Sequence, residues 1–145
     1  MSDYRKILIA VDLGRSCSDV IKRAQQLVSG SEAEIHLVHV VEMATGDYSF
    51  ELDFSHLDAY QKVHRAAAEE AAQVLLSELG LELPPASVHL PSGHPAREIR
   101  KLCGELGVDL LVIGSHGEHA VLSMLGSTAS AVMHGIGCDV LTVRI

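Results

Sequence analysis

A chain of 145 residues with eleven basic against nineteen acidic side chains carries a formal charge of -8, which excludes the dense Lys/Arg surface that nucleic-acid backbones require. Its 48% apolar content includes only five aromatic residues and no Trp, leaving Val, Leu, Ile and Ala to fill the core, the palette of a parallel α/β sheet. The length suits one domain, 1–145, that buries a single core without metal or disulfide staples.

The three cysteines, Cys17, Cys103 and Cys138, are far apart, odd in number and without a CxxC pair, which fits a reducing compartment. The first apolar run, Ile7 to Val11, is too short for the core of a signal peptide, and no stretch approaches the ~18 apolar residues of a membrane span. The expected location is therefore the cytoplasm, with no membrane partner.

In chain order, "KILIAVDL" is a continuous apolar run bounded by charge, the pattern of a strand buried on both faces. "SCSDVIKRAQQLVSG" then sets Val20, Ile21, Ala24, Leu27 and Val28 at helical spacing, with Ser16 or Ser18 as N-cap and Gly30 as the stop. "EIHLVHVVE", Glu34 to Glu42, repeats the buried-strand pattern and completes a βαβ unit. The polar stretch from Met43 to His56 has no firm period and reads as a loop over the carboxyl end of strand two. From Leu57 to Leu79 the apolar residues Leu57, Tyr60, Val63, Ala67, Ala71, Val74, Leu75 and Leu79 recur at three and four, predicting the longest helix, with Gly80 after it.

Pro84 and Pro85 break the chain before a short strand through Val88 and Leu90. Pro95 can open a third helix whose stripe is Ile99, Leu102, Cys103 and Leu106, stopped by Gly107. Val108 to Gly114 reads as strand four, a helix begins near Ser127, and Cys138 to Ile145 reads as strand five. Strands alternating with helices throughout predict a right-handed, doubly wound parallel sheet.

Ligands of such sheets bind at the carboxyl ends of the strands, where strand order reverses. Strand one finishes at Asp12 and strand four at Gly114, so these two ends form one crevice if the strands are neighbours. Gly114 and Gly117 permit tight turns and close approach of a ligand. Gly126, Ser127 and Thr128 open a helix whose free amides suit an anion. Spacing alone leaves two readings open: a phosphate cradle, or glycines that end a strand and a serine that caps a helix.

Other signatures are missing. There is no GxxxxGK[ST] and no GxGxxG after strand one, which disfavours a Walker NTPase and a dinucleotide dehydrogenase. "GSHG" has the GxxG form of an RNA-clamping loop but no basic residue. The nine histidines, including His36, His39, His89, His94, His116 and His119, show no recognisable metal spacing and read as hydrogen-bonded or solvent-facing imidazoles. Cys17 at a helix start could be a stabilised thiolate or simply part of a cap. No GxSxG or comparable nucleophile signature is present, so no catalytic residue and no metal ligand are assigned.

"KILIAVDLG", "HLVHVVE", "SGHPAREI" and "DLLVIGSHGEHAVLSMLGSTASAVMHGIGCDVLTVRI" together resemble the universal stress protein family across essentially the whole chain. Its nucleotide-binding members carry G-x2-G-x9-G-[ST], matched here by Gly114, Gly117, Gly126 and Ser127. Eight residues, Glu118 to Leu125, separate Gly117 from Gly126, one fewer than the family pattern, and none of them is basic. Glu118 could repel a terminal phosphate or help hold a divalent cation such as Mg2+.

The resemblance implies a Rossmann-like, five-stranded sheet of order 3-2-1-4-5 with four helices. It further implies an adenine nucleotide, ATP or AMP, bound by Ala10, Asp12, Val40, Ile113, Gly114, Gly117, Gly126, Ser127 and Thr128. A homodimer through the last strand, Asp139 to Ile145, is also implied, and this agrees with the cover that an exposed apolar sheet edge needs. The expected function is a stress-response or signalling module that holds its nucleotide. The alternatives are a slow ATPase or phosphotransferase at the same site, and a dimeric interaction protein with no nucleotide. An enzyme is disfavoured because the motif has no nearby general base or arginine finger.

Overall fold

The computed structural model describes residues 3–13, 17–41, 54–115 and 127–144, with backbone alone at 54–58 and 127. In chain order the elements are β1 (Lys6–Ala10), α1 (Cys17–Val28), β2 (Glu34–Val38), α2 (Phe54–Glu78), a single 3-10 turn (Pro85–Ser87), β3 (Val88–His89), α3 (Pro95–Leu106), β4 (Leu110–Gly114), α4 (Ser127–Met133) and β5 (Asp139–Val143). All strand pairs are parallel, in the order β3-β2-β1-β4-β5. The expected doubly wound sheet with four helices is thus the observed fold.

Alternation along the strands divides the core between the two faces of the sheet. Ile7, Ile9, Leu37, Leu110 and Val112 face α1 and α2, where Val20, Ile21, Ala24, Ala72 and Leu76 cover them. Leu8, Ala10, Val38, Leu111 and Ile113 face α3 and α4, meeting Ala96, Ile99, Cys103, Ala129 and Val132. Ile7, Leu8, Ile9, Leu37 and Leu111 are fully buried, each stabilising the fold by about 1.5–3 kcal/mol relative to an exposed side chain.

Helix α3 shows how local sequence sets an element's limits. Pro95 occupies its first turn and Gly107 closes it at φ 69°, the left-handed conformation that a Cβ disfavours, with the Gly107 N–H donating to the Cys103 carbonyl. The Val108 N–H donates to the same carbonyl. Val108 is therefore spent on the helix end, and β4 starts at Leu110, two residues later than the sequence suggests.

Other boundaries move for similar reasons. Ser18 lies inside α1 and does not cap it, and Ser16 falls outside the described residues. β2 stops at Val38, four residues before Glu42, and beyond it Val41 keeps only an isolated bridge to Ser92, on the β3 side. Phe54 to His56, read as loop, already belong to α2. β5 is shorter than Cys138 to Ile145, and Ile145 is outside the described residues.

Polar contacts fasten the start of the sheet and the two helices of one face. The Asp109 carboxylate accepts the Arg5 and Lys6 backbone N–H groups at 2.8 and 2.9 Å, fixing the start of β1 against β4. Burial alone would raise the Asp109 carboxyl, but those amides outweigh it and hold the group below the usual carboxylate range. The Arg100 guanidinium donates to the Ala131 and His134 carbonyls at 2.9 and 2.8 Å, fastening the end of α4 to α3.

Candidate functional site

Strand order reverses between β1 and β4, as the crevice argument required: chain connectivity runs outward from β1 through β2 to β3, then returns to β4 and β5. Ala10, the last residue of β1, sits in register with Ile113 of β4. Both are buried, and with Val40 they join the core on the α3/α4 face. The floor at the switch point is therefore apolar, and its central side chain is a single methyl group.

The rim is built by the turns that follow the strands. The Val11 N–H donates to the Val38 carbonyl at 3.0 Å, extending the β1–β2 contact one residue beyond β1. The His39 ring, through Nδ1, donates to the Val11 carbonyl at 3.0 Å. These bonds hold the segment that leads into Asp12, which is exposed. Leu13 follows at φ 62°, a left-handed conformation costing roughly 1–2 kcal/mol for a residue with a Cβ. Strain of this kind in an ordered turn is often part of a ligand-binding rim.

On the β4 side, Gly114 pairs with Val143, and the buried Ser115 donates its N–H to the Val143 carbonyl at 2.8 Å. Helix α4 starts at Ser127, as expected, with Thr128 half-buried in its first turn. Ala129 and Val132 anchor α4 in the same core cluster as Ala10 and Ile113. The structure thus brings Ala10, Asp12, Val40, Ile113 and Gly114 to one end of the sheet. Gly117 and Gly126 lie outside the described residues, as do Glu118, His116 and His119.

Cys17 stands beside this rim as the first residue of α1. Burial, and next the Asp12 carboxylate, push its thiol up, so it stays protonated and is no thiolate nucleophile. Of the other cysteines, Cys103 is pushed up to about 12 by burial and by its neighbour Cys138.

The histidines form contacts of their own. His36 and His89 link β2 to β3 through His36 Nδ1 and His89 Nε2 at 2.9 Å, while His36 Nε2 faces Glu34 Oε1 at 3.0 Å. A proton on His36 Nε2, given to Glu34, leaves Nδ1 free to accept from His89. Among the described residues no group of three or more potential ligands could hold a metal ion. The sequence placed His39 in strand two without assigning it a partner. Its bond to Val11 depends on how two separate turns meet, which no local pattern encodes.

Comparison with known proteins agrees with this architecture. Residues 3–144 match the model of the universal stress protein family. Universal stress protein A homolog 2 of Coxiella burnetii is 34% identical, with 100% of this chain and 98% of the relative covered. Universal stress protein G of Escherichia coli O157:H7 is 28% identical, with 97% and 99% covered. Among solved structures, the universal stress protein UspA from Lactobacillus plantarum superposes with a TM-score of 0.80 at 20% identity, covering 99% of this chain and 100% of that one. A universal stress protein in complex with cAMP superposes with a TM-score of 0.61 at 22% identity, covering 99% and 98%. With a family model spanning nearly every residue and a relative matched end to end, this chain belongs to the universal stress protein family.

Proposed function

We propose that this protein is a cytoplasmic stress-response or signalling module that holds an adenine nucleotide, ATP or AMP, and acts as a homodimer. The observation that carries the reading is the convergence of Ala10, Asp12, Val40 and Ile113 at the switch point between β1 and β4. An apolar floor with one small side chain suits the face of a purine. A carboxylate at its lip suits ribose hydroxyls, which donate to it. The glycine motif and the Ser127–Thr128 start of α4 would take the phosphates, with or without Mg2+.

The cAMP complex of a related protein supports the ligand class. Dimerisation through Asp139 to Ile145 is supported by the position of β5 at the edge of the sheet.

The test is to denature the purified protein and examine the extract for nucleotide, then to titrate ATP and AMP calorimetrically with and without Mg2+. Binding is expected, and Asp12→Ala should weaken it by roughly tenfold or more, since a charged hydrogen bond is worth about 1.5–3 kcal/mol. Gly126→Val should abolish phosphate-dependent affinity. An empty extract together with no heat from either nucleotide would sink the proposal.

A further inference from the structure

Two of the three cysteines, far apart in the sequence, meet in the fold. Cys103 is buried near the end of α3, and Cys138 stands half-buried one residue before β5, packed against the same core cluster on the α3/α4 face. Their side chains are hydrogen-bonded, the Cys103 S–H donating to the Cys138 sulfur. Backbone bonds hold the pair in place. The Cys103 carbonyl accepts the Gly107 and Val108 N–H groups, and the Asp139 N–H donates to the Asp109 carbonyl at 3.3 Å. The end of α3 and the start of β5 are therefore anchored to one short turn. A single buried cysteine packs as a small hydrophobe, whereas two free thiols in contact, one of them reached by solvent, are what an intramolecular disulfide needs.

The two thiols are not equivalent. Cys138 is the accessible one, between the exposed Gly137 and Asp139. Burial raises both, Cys103 to about 12. At Cys138 the hydrogen bonds from Cys103 and from the Leu111 backbone work against burial and favour the thiolate. Cys138 is thus the sulfur that meets an oxidant, and Cys103 is the sulfur placed to resolve the product. A Cβ on Gly137 would find no atom within 4 Å, so the turn has room for Cys138 to close the sulfur contact to the about 2.05 Å of a disulfide.

We infer that Cys103 and Cys138 form a reversible dithiol–disulfide couple oxidised by hydrogen peroxide, with Cys138 as nucleophile and Cys103 as resolving thiol. The Cys138 thiolate attacks one peroxide oxygen, the O–O bond breaks, and with one proton taken up the products are Cys138 sulfenic acid and water. The Cys103 sulfur then attacks the Cys138 sulfur. The S–S bond forms, the S–O bond breaks, and the departing hydroxide leaves as water with the Cys103 proton. Two thiols lose two electrons and one peroxide is reduced to two waters. The oxidant is small and uncharged, so the Asp109 and Asp139 carboxylates that act on Cys138 do not repel it. The couple is independent of the nucleotide reading, because it lies at the amino ends of β4 and β5, opposite the crevice. Its bond would tie α3 to the entry of β5, beside the tie that Arg100 makes to the end of α4.

Mass spectrometry of the full-length protein, reduced and then treated with graded amounts of hydrogen peroxide, tests this. Denatured and alkylated, the untreated chain takes up three alkyl groups, one per cysteine. The treated chain should take up one, on Cys17, which lies in the cluster on the opposite face. Before alkylation it should be lighter by two hydrogens, and dithiothreitol should reverse both changes. Peptide mapping should find Cys103 joined to Cys138 within one chain. The urea midpoint should rise on oxidation and return on reduction, since the bond closes a loop of the unfolded chain. In Cys103→Ala the Cys138 sulfenic acid should persist and be captured by dimedone, and the midpoint should not respond to peroxide.

Three results with the parent protein, none of which depends on a variant folding, would overturn the inference. One is uptake of three alkyl groups at every dose of peroxide. Another is Cys138 passing to sulfinic acid while Cys103 stays free, which would mean that the second thiol does not resolve the first. The third is a disulfide joining the Cys138 residues of two chains, seen as a dimer on a non-reducing gel, in place of the bond within one chain.

Discussion

Helices α2 and α3 lie on opposite faces of one sheet, and each has an apolar period of three and four. In α3 the predicted stripe of Ile99, Leu102, Cys103 and Leu106 does face the sheet, with Ile99 and Cys103 buried and Leu102 and Leu106 packed against the same core. In α2 most of the predicted stripe faces away, and alanines at Ala68 and Ala72 lie inside instead. Periodicity states that a helix has an apolar face. It does not state which face the sheet takes when alanine makes two faces available. The short helix had one apolar side to offer, whereas the 25-residue helix had two.

The comparison can be broken most directly at its buried ends. Ile99→Ala should destabilise the protein by about 2–5 kcal/mol through lost burial and the cavity left in the α3 face, measured by urea or guanidinium denaturation. Ala72→Leu should cost about 1–3 kcal/mol, since it overpacks a fully buried position, whereas Ala71→Leu one residue earlier should be nearly neutral. Equal costs at positions 71 and 72 would refute the assignment of the two stripes.

Smaller effects sharpen the picture. Arg100→Ala removes the donor to the Ala131 and His134 carbonyls and should cost about 1 kcal/mol, with faster amide exchange concentrated in α4. Val63→Ala, on the outward stripe of α2, should stay within about 0.5 kcal/mol of the parent when measured in dilute solution. The smallest expected effect is a dependence on pH. Burial, and next the neighbouring His36, hold His89 below its usual value of 6.5, so the unfolded chain binds more protons than the folded one below that pH. Its contribution to stability is fully present above about 6.5 and is lost as pH falls through the lowered folded value. Chemical denaturation between pH 7.5 and 5 should show this slope, and His89→Gln should flatten it.

Much of the candidate site was legible in the sequence because strand ends carry it. The apolar run of β1 gave way to charge at Asp12, and that of β4 ended in Gly114, so both rims could be named before the strands were known to be neighbours. The boundaries were less legible. Val108 looked like strand because it is β-branched and apolar, but its N–H was needed by the Cys103 carbonyl. Val41 looked like a continuation of β2, and it does pair on the β3 side with the segment around Ser92, but only as an isolated bridge. At Val108 a hydrogen bond to the preceding helix overrode a local preference.

The sequence by itself determined the alternation of strands and helices, the aliphatic core, the glycine motif and the membership of a family, because these rest on local pattern. Only the tertiary structure decided that Ala10 lies beside Ile113, that His39 braces Val11, and that burial, with Asp12 nearby, raises the Cys17 thiol. It alone chose which stripe of α2 to bury. Such choices depend on how elements far apart in the chain compete for the same surface and the same hydrogen-bonding groups, and that competition exists only once the sheet has formed.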